Sequence, residues 1–467
     1  MRAMVALLCA AGLGLVAGCL PVKISQCDTN SDCPMVAGSQ LACTPDHLCV
    51  VGTAAAELCK ETYPATTTPG AIPIGYLYQG DTDPISVQAV KMAVDELNPP
   101  NGPQPFVVHL CDTSRNQDDA LKAANILTGE RQVVGIVGPS FSREVLSIAA
   151  SLAAAKVPLV SPSATAPAIS SLANPGFRFR VVAPDQVQAA VLVRQVQSDT
   201  SGMMTAPRIA ILNVDDAYGN GLAQGFQSSL ANGGRGTVVG AFKYKEGDLA
   251  ALKARIADVK AQTPDVVLAI ATQDAPDMVA NLALLPDATK IYATDGAKNP
   301  DLLKIIKQAP PAGVAAAAYQ SYLGRVRGTA PFVDTSSQAY RSFSMNLLNT
   351  YKVQASNEAF SSYAYDAFYS VAIAAGAAKA GANGAPLTGA LVAQRLQRIR
   401  AGGSSRTVSV GGPKYTEAVS ALGSGNLTLG GTTGNVTFDA NGDRENQLFE
   451  LWRIDVANGA FAGTPIQ

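Results

Sequence analysis

From residue 71 onward, short apolar runs alternate with amphipathic stretches, and the alternation predicts strand, loop and helix in repeated succession. Ile72–Tyr78 reads as a buried strand, followed by a helix over 85–97 with Val87, Val90, Met92, Ala93 and Leu97 on its inner face. A strand at 106–110 and a helix over 117–127 come next. Two stretches follow, 133–142 (VVGIVGPSFS) and 157–165 (VPLVSPSAT), separated by a helix over 145–155. Each reads as a buried strand running straight into a loop of small hydroxyl residues, whose backbone N–H groups and hydroxyls can hold an anion.

A second series repeats the pattern, with helices over 185–196, 217–230, 249–261 and 275–284 and strands at 209–212, 238–242, 266–270 and 290–293. Alternation of this kind builds parallel sheets with helices on both faces, and ligands sit outside the carboxyl ends of such strands. Helices dominate 338–378 and 390–399, and a Gly/Ser-rich stretch fills 401–412. The chain ends in a predicted hairpin, 434–438 against 447–454 across Asn441-Gly442.

At 467 residues the chain exceeds the size at which one core keeps growing, so two lobes are expected. A 47% hydrophobic and 15% charged composition supports packed globular lobes and argues against disorder. The 35 basic and 36 acidic residues nearly cancel and form no basic run, which counts against nucleic acid as a partner. Catalysis has little to work with: the two histidines are His47, among the cysteines, and His109, within a strand, and there is no Gly-x-Ser-x-Gly elbow. Asp439, Asp443 and Glu450 fall at calcium-loop spacing, but Arg444 stands where that loop requires glycine. No catalytic residue, metal or cofactor is assigned.

The first residues carry an export signal: Arg2, an apolar run from Val5 to Val16 too short to span a bilayer, and Val16-Ala-Gly-Cys19. That tetrapeptide resembles a bacterial lipobox, which implies cleavage after residue 18 and lipid on Cys19, a membrane contact by anchor only. The expected location is the bacterial cell envelope, periplasmic or outer-membrane facing, with Leu20 favouring the outer membrane by resemblance to proteobacterial lipoproteins. Setting aside Cys9 and Cys19 from eight cysteines leaves Cys27, Cys33, Cys43, Cys49, Cys59 and Cys111. An even set in an exported chain reads as disulfides, although six allow 15 pairings. The first four are expected to close a compact knob and Cys59 to pair with Cys111. A zinc set of Cys43, His47 and Cys49 misses knuckle spacing. Residues 19–70 are thus a Cys-rich segment and linker.

From about residue 71 to the end, the chain resembles the type I periplasmic-binding fold, and within it the branched-chain amino acid (Leu/Ile/Val) binding proteins of ABC importers. The resemblance rests on motifs in the family's order: 72–75 (IPIG), 135–139 (GIVGP), 157–167 (VPLVSPSATAP), 177–180 (FRFR), 209–223 (IAILNVDDAYGNGLA), 263–267 (TPDVV), 294–296 (TDG) and 436–443 (VTFDANGD). It implies an α/β protein of two doubly wound parallel-sheet lobes, 71–182 plus 322–428 and 183–321 plus 429–467. A three-stranded hinge with crossings near 181–184, 318–324 and 426–432 joins them.

The resemblance further implies that Ser142 and Thr165 meet a ligand α-carboxylate, with Ser163 among the ligand-binding residues. Asp295 takes the ammonium, Tyr218 folds over the ligand from the second lobe, and Phe360 lines the side-chain pocket. Two departures from the family pattern, 78–84 (YQGDTDP) and 141–144 (FSRE), leave Arg143 and Asp81 or Asp83 to reshape that pocket. The implied function is capture of a small polar ligand, an amino acid or related amide, without catalysis, for an ABC permease. The rival expectations are a sensory or regulatory receptor of the same fold and a structural envelope lipoprotein with a vestigial cleft.

Overall fold

The computed structural model describes residues 35–36, 39–43, 49–51 and 58–466, save for 67, 81, 100–101, 103, 115, 174 and 404. The expected signal (1–18), Cys19, Cys27, Cys33 and Asp81 lie outside the described residues. The chain falls into two compact units, 1–60 and 61–467. In the first, β1 (Met35–Val36), β2 (Ser39–Cys43) and β3 (Cys49–Val51) pair antiparallel, with Cys43 opposite Cys49 in register, their side chains outside the description. Cys59 and Cys111 are joined in the expected disulfide.

In the second unit the chain first builds one lobe around β4 (Glu61–Tyr63), β5 (Ile72–Tyr78), α1 (Pro84–Leu97), β6 (Phe106–Asp112), α2 (Gln117–Gly129) and β7 (Ile136–Val137). It continues through α3 (Ser142–Ala155), β8 (Leu159–Ser161), α4 (Pro167–Ser170) and β9 (Arg178–Arg180). The strand order is β4-β6-β5-β7-β8-β9, parallel throughout except for β4, which runs antiparallel to β6. Central strands are near-continuous apolar runs because helices cover both faces.

The second lobe follows with α5 (Asp185–Asp199), β10 (Arg208–Val214), α6 (Ala217–Ala231), β11 (Thr237–Tyr244), α7 (Leu249–Ala261) and β12 (Val266–Ile270). Then come α8 (Ala275–Leu282), β13 (Lys290–Ala293), α9 (Pro300–Lys304), α10 (Ala316–Leu323) and β14 (Arg327–Pro331). The chain returns to the first core with α11 (Gln338–Tyr351), α12 (Ser361–Gly381), α13 (Gly389–Leu396), β15 (Arg406–Ser409), α14 (Tyr415–Ser424), β16 (Leu427–Gly431) and β17 (Gly434–Val436). Helix α12 is buried over nearly its whole surface, from Ser361 to Ala378, and its Ala-rich faces let α1, α13 and α14 pack close around it. Finally β18 (Phe449–Asp455) and β19 (Ala460–Ile466) complete a seven-stranded second sheet, β11-β10-β12-β13-β14-β18-β19.

Three differences from the sequence reading have physical causes. The terminal hairpin across Asn441-Gly442 is reduced to its turn, closed by an antiparallel bridge between Phe438 and Arg444: the strands expected to pair do not, since β17 pairs with β16, and β18 pairs with β14 and β19. Gly442 instead docks on β9, accepting from the Arg180 N–H at 3.0 Å, and a Cβ there would fall 2.0 Å from the Arg178 carbonyl oxygen. The Gly/Ser-rich stretch 401–412 contains β15, which gains its partner only through β16. Residues 318–324 lie mostly in α10, and 426–432 lie mostly in β16 of the small β15-β16-β17 sheet. Chain passage between the lobes occurs at 181–184, 332–337 and 439–448.

Candidate ligand-binding site

In each sheet the first of the parallel strands has neighbours reached in opposite directions: β5 lies between β6 and β7, and β10 between β11 and β12. Loops leaving such a switch point diverge and open a crevice. The loops after β5 and β7 face those after β10, β12 and β13 across a cleft of about 560 Å³. Ser142, Ser163, Thr165, Tyr218, Asp295 and Phe360 all line it.

The two hydroxyl-rich loops are each other's partners. Ser161 Oγ donates to Pro139 O at 2.7 Å, and Ser163 Oγ to Ser140 O at 2.8 Å. Ser142 Oγ accepts from the Ala166 N–H at 3.1 Å. Ser142 is therefore not the helix cap: Phe141 stands at the N-cap of α3 without a side-chain bond to it, and Ser142 opens the first turn. Its hydroxyl proton remains available beside the positive end of a 14-residue helix. The proton of Ser163 is committed to a carbonyl, so this hydroxyl faces the cleft as an acceptor.

Arg180, buried at 1% exposure, fixes the second loop from behind. Its Nη1 donates to Ala164 O at 3.2 Å and Ala166 O at 3.1 Å, while Nε meets Asp443 Oδ1 at 2.7 Å. Thr165 is thereby held between two bonded neighbours, and its own carbonyl accepts from the Asp185 N–H at 2.9 Å. The 177–180 motif carried this residue in the sequence but no sign of its role, because its partners are Ala164, Ala166, Ser170 and Asp443.

On the second lobe, Tyr218 in the first turn of α6 donates to Asp295 Oδ1 at 2.8 Å and shares a 2.7 Å bond with Thr294 Oγ1. Gly296 N–H reaches the same Tyr218 oxygen at 3.3 Å. Burial pushes the Asp295 carboxyl up despite these donors, and it pushes the neighbouring Asp185 well up, with repulsion from Asp295 adding to the effect. A cation arriving at Asp295 would offset that desolvation.

Two side chains went unassigned or misassigned in the sequence. Arg143 does not line the cleft; its Nη1 crosses to the second lobe, 3.2 Å from Asp216 Oδ2 and 3.1 Å from Glu246 Oε2. Glu358 lines the cleft and caps α1 from far along the chain, accepting from the Ile85 N–H at 2.7 Å, the Ser86 N–H at 3.0 Å and the Ser86 hydroxyl. No local signal marks it, since the cap joins residues 272 positions apart. Asp83 also lines the cleft, accepting from Ser140 Oγ at 2.6 Å.

Residues 86–456 match the family described as the receptor family ligand binding region. The chain belongs to that family. Among curated relatives, it is 33% identical over 178 residues to the Leu/Ile/Val-binding protein BraC3 of Rhizobium johnstonii, covering 38% of this chain and 46% of that protein. It is 34% identical over 141 residues to the chemotactic signal transduction system substrate-binding protein BasB of Halobacterium salinarum, 29% of this chain and 34% of that one. The chain thus spans less than half the length of these relatives. The crystal structure of the branched-chain amino acid transporter substrate-binding protein LivJ from Streptococcus pneumoniae, in complex with isoleucine, superposes with a TM-score of 0.62 at 17% identity. It covers 85% of this chain and 99% of that one, a likeness of fold.

Among the described residues, no helix is long and apolar enough to cross a membrane, and no three metal-ligating side chains gather.

Proposed function

We propose that this protein captures a free amino acid or related amide by closing its two lobes over it, and delivers it to an ABC importer. The carrying observation is a single cleft with a hydroxyl-bearing helix start on one wall and a buried carboxylate with its tyrosine on the other. In this reading Ser142 and Thr165 meet the carboxylate, Asp295 the ammonium, and Tyr218 and Phe360 close over the remainder. No chemistry is performed. Closure replaces water by fixed charge-assisted hydrogen bonds and makes a form that a permease can recognise. The lobes move about the crossings at 181–184, 332–337 and 439–448, and the chain is exported and held to the envelope by lipid on Cys19.

The chemotactic relative supports a second reading, in which the closed form is read by a sensor. A thermal-shift screen of amino acids and amides tests the capture itself: a rise in melting temperature is expected, and a flat response across the panel would overturn it. Growth on the identified ligand after deletion of the gene separates the two readings, since only an importer component supports uptake.

A further inference from the structure

We infer that the wall of the cleft formed by Asp83 and Glu358 at the start of α1 receives a cationic group, an ammonium or guanidinium, carried on the side chain of the ligand. This rests on the proposed use of Ser142, Thr165 and Asp295 for an amino-acid head group.

Four carboxylates line the cleft, Asp83, Asp295, Asp301 and Glu358. Among the described residues Lys298 is the single cation on its walls, and its Nζ is bonded to Glu450. With Asp295 assigned to the head, Asp83 and Glu358 stand together at the start of α1, beside Ser140 and Phe360. The basic residue nearest in sequence to this wall, Arg143, is turned away to Asp216 and Glu246.

The same wall also carries a buried polar atom without a partner: Oγ1 of Thr82, a residue that lines the cleft, has none among the described residues. Burial, and next the charge of Asp83, push Glu358 up to about 8. A cation beside it would restore the anion that the α1 amides bind. The rings of Phe141 and Phe360, with Ile85, supply an apolar corridor for the methylenes of a long side chain with a charged tip. A purely aliphatic side chain would leave these carboxyl groups desolvated against hydrocarbon.

The test is calorimetric titration of the full chain with L-lysine, L-arginine, L-leucine and 1,4-diaminobutane. Lysine or arginine is expected to bind at least about tenfold tighter than leucine, the scale of one charge-assisted pair. Leucine binding as tightly as lysine and arginine would overturn the inference while leaving amino-acid capture intact. Binding of the diamine but of no amino acid would keep the cationic subsite and overturn the proposed head-group site. Binding of none of the four would overturn both. Glu358→Gln is expected to weaken lysine more than leucine; equal weakening would assign Glu358 to capping α1 and count against the subsite, whatever the folded fraction of the variant.

Discussion

Arg143 and Asp216 pair between the lobes outside the cleft lining, one from the first turn of α3 and the other from the N-cap of α6, with Nη1 and Oδ2 3.2 Å apart. Asp216 already caps its own helix by accepting from the Gly219 N–H at 2.8 Å, and Glu246 adds a second carboxylate 3.1 Å from the same nitrogen. One guanidinium therefore ties the start of a helix in one lobe to two acids in the other. Both side chains of the pair are mostly shielded from water, which reduces screening.

Arg143→Ala is expected to favour the open form. Ligand affinity should fall about tenfold, equivalent to ~1.4 kcal/mol, with faster release and a larger radius of gyration in solution scattering. An unchanged affinity would mean that the pair contributes nothing to closure.

Gly221 reports on the same movement without any charge. It lies inside α6, and a Cβ there would come 2.6 Å from Cδ of Pro167, the first residue of α4 in the opposite lobe. In an open molecule Gly221→Ala should strengthen the helix by about 1 kcal/mol. In a closed one it meets the proline. The melting temperature without ligand should hold or rise while affinity drops, and calorimetry paired with thermal melts checks both.

Asp295→Asn keeps the shape of the site and removes its charge. With an amino-acid ligand, affinity should fall about a hundredfold, the ~3 kcal/mol typical of breaking one side of a buried ionic contact. Burial raises the Asp295 carboxyl above its ordinary range, and only the anion attracts an ammonium. Wild-type affinity should therefore decline as pH falls through that raised value, and the amide variant should lose this dependence.

Glu144 controls stability rather than capture. Burial is the main cause of its rise to about 8 from 4.5, partly opposed by the charge of Arg143. Between those values the folded protein keeps a proton that the unfolded chain releases, so stability declines as pH rises through the window. Glu144→Gln should flatten the dependence by a few kcal/mol between about pH 5 and pH 9, leaving a residual slope of the same sign from Glu358, also near 8. Denaturant melts across that range measure it, and identical slopes in both proteins would sink the assignment.

The legible parts of the fold were those set by local periodicity. Leu249–Ala261, Val266–Ile270 and Lys290–Ala293 have the bounds that the apolar pattern predicts. Misreadings came where pairing choice outranked local turn chemistry. Asn441-Gly442 does turn the chain, with Phe438 bridged to Arg444, yet β18 gains five ladder partners on β14 instead of pairing with 434–438. Of the cleft lining, Ser142, Thr165 and Asp295 were legible through the order of motifs. Arg180 and Glu358 were not, because each acts through partners remote in sequence.

Read alone, the chain specifies two α/β lobes, the loops that end their central strands, and the hydroxyl and acidic residues on those loops, because hydrophobic period and loop composition are local properties. Tertiary structure alone decides that Ser142 binds a neighbouring loop instead of capping its helix, and that Arg143 leaves the cleft to bridge the lobes. It also decides that Asp83 and Glu358 meet at one helix start. Each of these depends on which distant donor and acceptor burial brings within hydrogen-bonding reach, and no pattern along the sequence encodes that distance.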